Sequence, residues 1–294
     1  MGEDLHAYLI MAHHRPDLLR QLLAALDDPR NDIYLHVDRK ASPEMKAEEL
    51  SVAKAKLLSI PSMEVNWGGY SQIECTLRLL KAALADRSHA RYHLMTGSTY
   101  PLRNQDEIHD FFREHPEKEH IALDAPAYER VRYRWLFNEH RADTMDKPRR
   151  IIRGLDLIAQ RWAGRDRFER FEMEHKKGLA YWSVTEVLAS HVVEHEDVIR
   201  EMLKWSVCGD EVFMQTIAWN SPFREGMLDD RGVANDSLRI TTWPLEDGGI
   251  ERPGHNFLRE DLDMLLESHA FFALKFEGPD GPGLIEEIKG RRHV

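Results

Sequence analysis

The sequence predicts an α/β protein: a Rossmann-like, mostly parallel central sheet flanked by helices. Short apolar runs of strand length alternate with amphipathic runs of helical spacing, the pattern of repeated strand–helix–strand units. Polar residues follow the apolar runs directly, at the carboxyl ends of strands, where open α/β sheets bind ligands. No internal repeat, low-complexity stretch or linker divides the 294 residues, so a single domain spanning 1–294 is expected.

Residues 6–12 (HAYLIMA) read as a buried strand. Pro16 opens a helix carrying Leu18, Leu19, Leu22, Leu23 and Leu26 at helical spacing, stopped near Pro29. Residues 33–37 (IYLHV) form a second strand, ending in Asp38-Arg39-Lys40. Helix is expected over 43–57 and a third strand over 63–67, followed by the Gly68-Gly69 pair and a long helix from 71 to about 85. Residues 91–96 (RYHLMT) are a fourth strand, closed by the turn-rich GSTYP, and 105–114 a further helix. From about 128 to 175 the chain is rich in arginine and aromatic residues and poor in clean periodicity, an irregular insertion over the sheet. Strand character resumes at 178–184 (GLAYWSV), followed by a helix to about 199 and an amphipathic helix over 210–218. A late strand at 239–242, a last helix beginning at 260–266 and the apolar 271–276 (FFALKF) complete the reading.

Composition narrows the function. The hydrophobic content of 42% suits a sizeable core, and the net charge of −11 argues against non-specific binding to nucleic acid or anionic membrane. An acidic protein that binds an anionic ligand must gather its cations locally, so a few arginines and lysines should matter. Cys75 and Cys208 are too few for a disulfide framework and read as buried thiols in a reducing compartment. No apolar run approaches a transmembrane span and no secretory signal opens the chain, so a cytoplasmic location is expected, with peripheral membrane contact allowed.

Several residues could carry chemistry, each with a plainer alternative. Asp38 at a strand end suits a ribose or uracil contact, or simply a loop cap. Gly68 and Gly69 permit close backbone approach, with Trp67 and Tyr70 as flat faces for a ring; a tight turn with core aromatics would look the same. The polar residues of 97–102 (GSTYPL) could touch sugar hydroxyls or merely close the strand. Asp210 and Glu211 could complement a helix dipole. Lys275, flanked by Phe271, Phe272, Leu274 and Phe276, could meet a phosphate or snorkel from an edge strand. His191, Glu194 and His195 match H-x-x-E-H, the pattern of an inverted zinc peptidase, and define an alternative reading as a zinc hydrolase.

In order and spacing, LIMAHHRPDLLRQLL, IYLHVDRKA, VNWGGYSQIECTLRLLKAAL, YHLMTGSTYPLRNQDEIHDFF, GLAYWSV, GDEVFMQT and FFALKF resemble the Core-2/I-branching N-acetylglucosaminyltransferases and peptide O-xylosyltransferases from about residue 6 to 277. The resemblance implies a GT-A type fold, a UDP-sugar donor, inversion at the anomeric carbon and no metal cofactor. The sequence agrees on the last point, since its only Asp-x-Asp, Asp261-Leu-Asp263, falls in an expected helix where the two side chains diverge.

By position, the resemblance places Asp38 and Trp67 at the nucleoside and His13, Lys275 and Arg252 at the diphosphate, with Arg259 the alternative to Arg252. It places Glu211 as the catalytic base, with Asp210 left to cap or pair structurally, and Ser98, Tyr181 and Trp243 at the sugar or acceptor. GlcNAc or xylose is the implied donor sugar. The chain departs from animal members in having no anchor or stem, few cysteines and Arg252-Pro253 in a loop of different length. A bacterial relative acting on a lipid-linked or surface-polysaccharide precursor fits these departures. A catalytically inactive nucleotide-sugar-binding protein is a further alternative.

Overall fold

The structure, a computed structural model, describes residues 4–140, 145–229, 232, 234, 236–241 and 256–292. Its centre is a five-stranded sheet in the order β3-β2-β1-β4-β6. Strands β1 (His6–Ala12), β2 (Asn31–Val37), β3 (Lys56–Ser59) and β4 (Arg91–Thr96) run parallel, and β6 (Ser183–Val184) is antiparallel to β4. This is the α/β architecture with a mostly parallel central sheet that the sequence predicts.

Alternation along β1 sets the layers, because successive side chains of a strand point to opposite faces. Ala7 and Leu9 pack with α2 (Tyr70–Asp86), α6 (Glu186–Glu194) and α8 (Phe213–Trp219). Tyr8 and Ile10 pack with α1 (Pro16–Ala25) and α3 (Gln105–Glu114). A second sheet, ordered β5-β8-β7, joins β5 (Tyr100–Pro101), β8 (Phe272–Leu274) and β7 (Arg239–Thr241). Arg239, half-buried, ties the two sheets: it donates to the Trp182 carbonyl at 2.6 Å and to Ser183 Oγ at 2.8 Å. Outside them lie α9 (Leu262–Glu267) and α10 (Gly281–Arg292), whose Leu265, Leu284, Ile285 and Ile288 pack onto Phe276 and Tyr100.

Several expected elements are corrected. Residues 43–57 form no long helix, only a 3-10 turn at Ala47–Glu49 and the start of β3. The Asp27 carboxylate accepts from the amides of Ala53, Lys54 and Ala55 at 2.7–2.9 Å, fixing a turn where a helix would need those donors. The third strand is therefore Lys56–Ser59, not 63–67. That later segment is held by side chains instead: His36 Nε2 accepts from Met63 and Asp38 Oδ2 from Val65.

The strand at 178–184 shrinks to β6, and the following helix splits into α6 and α7 (Glu196–Leu203). The helix over 210–218 becomes a 3-10 turn, Gly209–Glu211, and then α8, whose residues from Phe213 to Ala218 are all buried rather than amphipathic. Strand β8 is the middle strand of its sheet, not an edge, and α9 is followed by α10, which sequence periodicity did not reveal. The insertion holds α4 (Glu129–Arg132) and a sixteen-residue helix, α5 (Lys147–Trp162), more regular than expected.

Candidate active site

Four strands deliver their following residues to one end of the molecule. Beyond β1 come His13 and His14, beyond β2 Asp38, beyond β4 Ser98, and beyond β8 Lys275 and Glu277. Glu277 is the centre of this group. Its Oε1 accepts from Ser98 Oγ at 2.8 Å and lies 3.8 Å from Lys275 Nζ, while His14 Nε2 stands 3.3 Å from Oε2. Burial would raise this carboxyl, but the His14 hydrogen bond, the Lys275 charge and the Ser98 hydroxyl outweigh it and hold it at about 2. Arg15 closes the group by donating to the Glu277 main-chain carbonyl. His13 stacks obliquely on His14 with ring centroids 4.0 Å apart, and burial followed by the His14 charge lowers its pKa.

Asp38 is buried, and both its oxygens serve the backbone: Oδ1 accepts from Lys40 at 2.7 Å and Oδ2 from Val65 at 3.1 Å. It thus shapes the loop that leads to Trp67, whose side chain is 57% exposed and offers the flat face expected of it. Tyr70 instead packs inward against the core. Gly68 adopts φ 73°, and its carbonyl accepts from the Cys208 amide at 2.8 Å, joining this loop to the 209–211 turn. What approaches Gly69 is the carboxylate of Glu139, which accepts from the Ser71 amide and hydroxyl and so occupies the amino end of α2.

The second half of the site is the 3-10 turn at Gly209–Glu211. Glu211 is half-buried. Its Oε2 pairs with Arg130 Nη1 at 2.5 Å and lies 3.9 Å from Lys177 Nζ, itself bound to Asp124 at 2.6 Å. Oε1 of Glu211 accepts no hydrogen bond among the described residues. Asp210 is half-buried, has no ion pair among the described residues, and its buried Oδ1 has no hydrogen-bond partner. Desolvation, then the charge of Glu211, push its carboxyl up to about 7. Hydrogen bonding to the backbone amides of Asp210 and Glu211, together with the Arg130 charge, opposes that rise without cancelling it. Tyr181 links the halves: burial raises its phenol, and the charges of Asp210, Glu277 and Glu211 add to the effect.

Arg252 and Trp243 lie outside the described residues, and Arg259 is turned toward Glu287 of α10. Asp261 accepts from the Leu258 amide while Asp263 faces solvent near Arg291, so the Asp-x-Asp pair does diverge. His195 of the H-x-x-E-H pattern gives Nδ1 to the His191 carbonyl at 2.8 Å. Among the described residues no group of three or more His, Cys, Asp or Glu could hold a metal ion, so the zinc-hydrolase reading gains no ligand set.

The model of the Core-2/I-branching enzyme family matches residues 6–262. The chain belongs to the Core-2/I-branching enzyme family. It is similar to the N-acetyllactosaminide beta-1,6-N-acetylglucosaminyl-transferase of Mus musculus, 25% identical over 97% of this chain and 72% of that protein. It is also similar to the Homo sapiens beta-1,3-galactosyl-O-glycosyl-glycoprotein beta-1,6-N-acetylglucosaminyltransferase, 22% identical over 92% of this chain and 65% of that protein. The crystal structure of mouse xyloside xylosyltransferase 1, apo form, aligns over 92% of this chain and 97% of that one at 12% identity, with a TM-score of 0.39.

The geometry adds candidate site residues that sequence reasoning missed. Glu277 follows FFALKF directly and could have been noticed as the acid beside Lys275. Lys177 immediately precedes GLAYWSV. Arg130 sits in the insertion, where no periodicity or motif marks it.

Proposed function

We propose that the chain is an inverting, metal-independent transferase that moves a sugar, GlcNAc or xylose, from a UDP-sugar to a hydroxyl of a glycan or glycolipid acceptor. The observation that carries this reading is Glu211. Arg130 and Lys177 both engage Oε2, which fixes the carboxylate and leaves Oε1 for a substrate proton. The acceptor oxygen attacks the anomeric carbon as the bond to the β-phosphate oxygen breaks on the opposite face. Glu211 Oε1 takes the hydroxyl proton, and UDP leaves with the bonding pair.

The developing phosphate charge needs fixed cations. Lys275 and Arg252 are proposed for that role, together with His13, which lies near Lys275, and Asp38 and Trp67 are proposed to shape the nucleoside site. Tyr181 and Ser98, with Trp243, are proposed to contact sugar or acceptor. The divergence of Asp261 and Asp263 supports the metal-free scheme, and the names of the curated relatives support GlcNAc.

The test is transfer and donor hydrolysis with a panel of UDP-sugars. Glu211→Gln should slow transfer by roughly 10²–10⁴, the usual contribution of a positioned base, while UDP affinity stays unchanged. Near-normal transfer in that variant would remove the mechanism; no transfer or hydrolysis with any UDP-sugar would favour an inactive binding protein.

A further inference from the structure

Helix α5 is packed inside out. Its Asp146 N-cap accepts from the Arg149 amide, and the polar side of the helix faces the protein. Gln160 is buried and exchanges hydrogen bonds with the Arg134 backbone at 2.8 and 2.9 Å. Asp156 meets the Arg134 guanidinium at 3.1 Å, and Arg161 pairs with Glu129 at 2.8 Å. The opposite side is apolar and open: Ile151, Ile152, Leu155, Ile158 and Trp162 are between 49% and 91% exposed. At ~100° per residue, Ile151, Leu155, Ile158 and Trp162 fall within about 60° of arc, one continuous stripe along the helix. An apolar patch of this kind on a soluble protein marks an interaction surface.

Charge identifies the occupant. Residues 147–165 hold six basic side chains, Lys147, Arg149, Arg150, Arg153, Arg161 and Arg165, against the single acid Asp156, within a chain of net charge −11. An apolar stripe bordered by cations and ending in tryptophan is the composition of a helix that lies in a lipid headgroup region. Self-association through the same stripe would set like charges against each other across a two-fold axis. The acidic remainder of the chain would be repelled from an anionic surface, so α5 also dictates the orientation of docking.

We infer that α5 docks this protein on anionic lipid bilayers, seating the stripe at Ile151, Leu155, Ile158 and Trp162 at the headgroup–acyl boundary. Arg161 grips Glu129, the neighbour of Arg130, so docking holds the Glu211 carboxylate near the membrane. Insofar as the proposed function holds, such a position favours a lipid-linked acceptor.

The experiment is co-sedimentation of the full chain with vesicles of phosphatidylcholine, alone or mixed with phosphatidylglycerol, together with light scattering in solution. It needs no transferase activity, so it can fail or succeed independently of the proposed reaction. The protein should bind the mixed vesicles, bind phosphatidylcholine weakly, and release at high salt. The triple variant I151S/L155S/W162S should lose at least about tenfold in vesicle affinity, as should K147E/R150E. All substituted side chains are solvent-exposed. An unchanged thermal melt confirms that each variant is folded. Equal binding by wild type and triple variant overturns the inference, as does no binding by the wild type. A wild-type dimer that the triple variant abolishes, without vesicle binding, overturns it in favour of a second copy.

Discussion

Asp210→Asn should make the protein more stable at pH 8 and flatten the pH dependence of its stability. The buried carboxyl titrates at about 7 instead of its ordinary 3.8. Between those values the folded chain retains a proton that the unfolded chain has released. Stability therefore falls as pH rises through this window, and the full loss is felt above about 7. At about 1.4 kcal/mol per pH unit, ionising Asp210 in the fold costs about 4 kcal/mol. Asparagine keeps the shape and cannot ionise, but its buried amide can leave donors unsatisfied, at a cost of about 1–3 kcal/mol.

The firm quantity is thus a difference. Relative to wild type, the variant should be about 4 kcal/mol better off at pH 8 than at pH 4. Urea unfolding followed by circular dichroism at both pH values measures it. Glu211→Gln is the companion variant: removing the neighbouring charge, the second cause of the shift, should lower the Asp210 pKa and shallow the slope part-way. A wild-type slope in Asp210→Asn would refute the argument, because the penalty would not reside in that carboxyl.

Glu277 carries the opposite sign. Its carboxyl is held at about 2 against an ordinary 4.5, so its contribution, about 3 kcal/mol, is present above pH 4.5 and lost as pH falls toward 2; Glu277→Gln should destabilise at pH 7 by up to that amount and progressively less in acid, read from the same unfolding curves. Lys275→Ala should slow transfer by roughly 10²–10³, the scale for one fixed electrostatic donor, and weaken UDP binding measured by calorimetry; normal values for both would remove Lys275 from the donor site. Transfer should persist in EDTA without added divalent ion, and loss on chelation with rescue by Mn²⁺ would overturn the metal-free scheme.

Much of the fold was legible because β1, β2, β4, α1, α2 and α3 carry their own patterns: buried apolar runs for the strands, two-faced periodicity for the helices. The failures occur where a distant side chain decides the backbone. Asp27 captures three amides across the chain and converts an expected helix into a turn and β3. His36 and Asp38 hold 63–67 in place of a strand ladder. In the site, Glu211 and Lys275 could be named because they stand inside quotable motifs. Arg130, which fixes Glu211, could not, because its position depends on how the insertion folds over the sheet. The Gly68-Gly69 pair was recognised, but the Glu139 carboxylate that lies against Gly69 was not.

Net charge was the observation most in need of geometry. A value of −11 argues against non-specific binding to nucleic acid or anionic membrane, yet the proposed reaction and the inferred membrane contact both require anionic partners. The resolution is that charge is segregated. At the strand ends, Lys275 stands beside the Glu277 carboxylate, which also meets His14 and Ser98, while Arg15 donates to the main-chain carbonyl of the same residue. An arriving diphosphate would compete with that carboxylate for the same donors and would meet them already placed, with little reorganisation to perform. On α5 the cations are gathered differently, along a helix whose apolar side faces outward and whose acid is turned in toward Arg134. Long-range repulsion from the acidic remainder is screened over about 8–10 Å at physiological salt, whereas contacts of 3–4 Å are not. Each cationic cluster therefore acts on its own neighbourhood, and the sign of the whole chain governs only what happens at a distance.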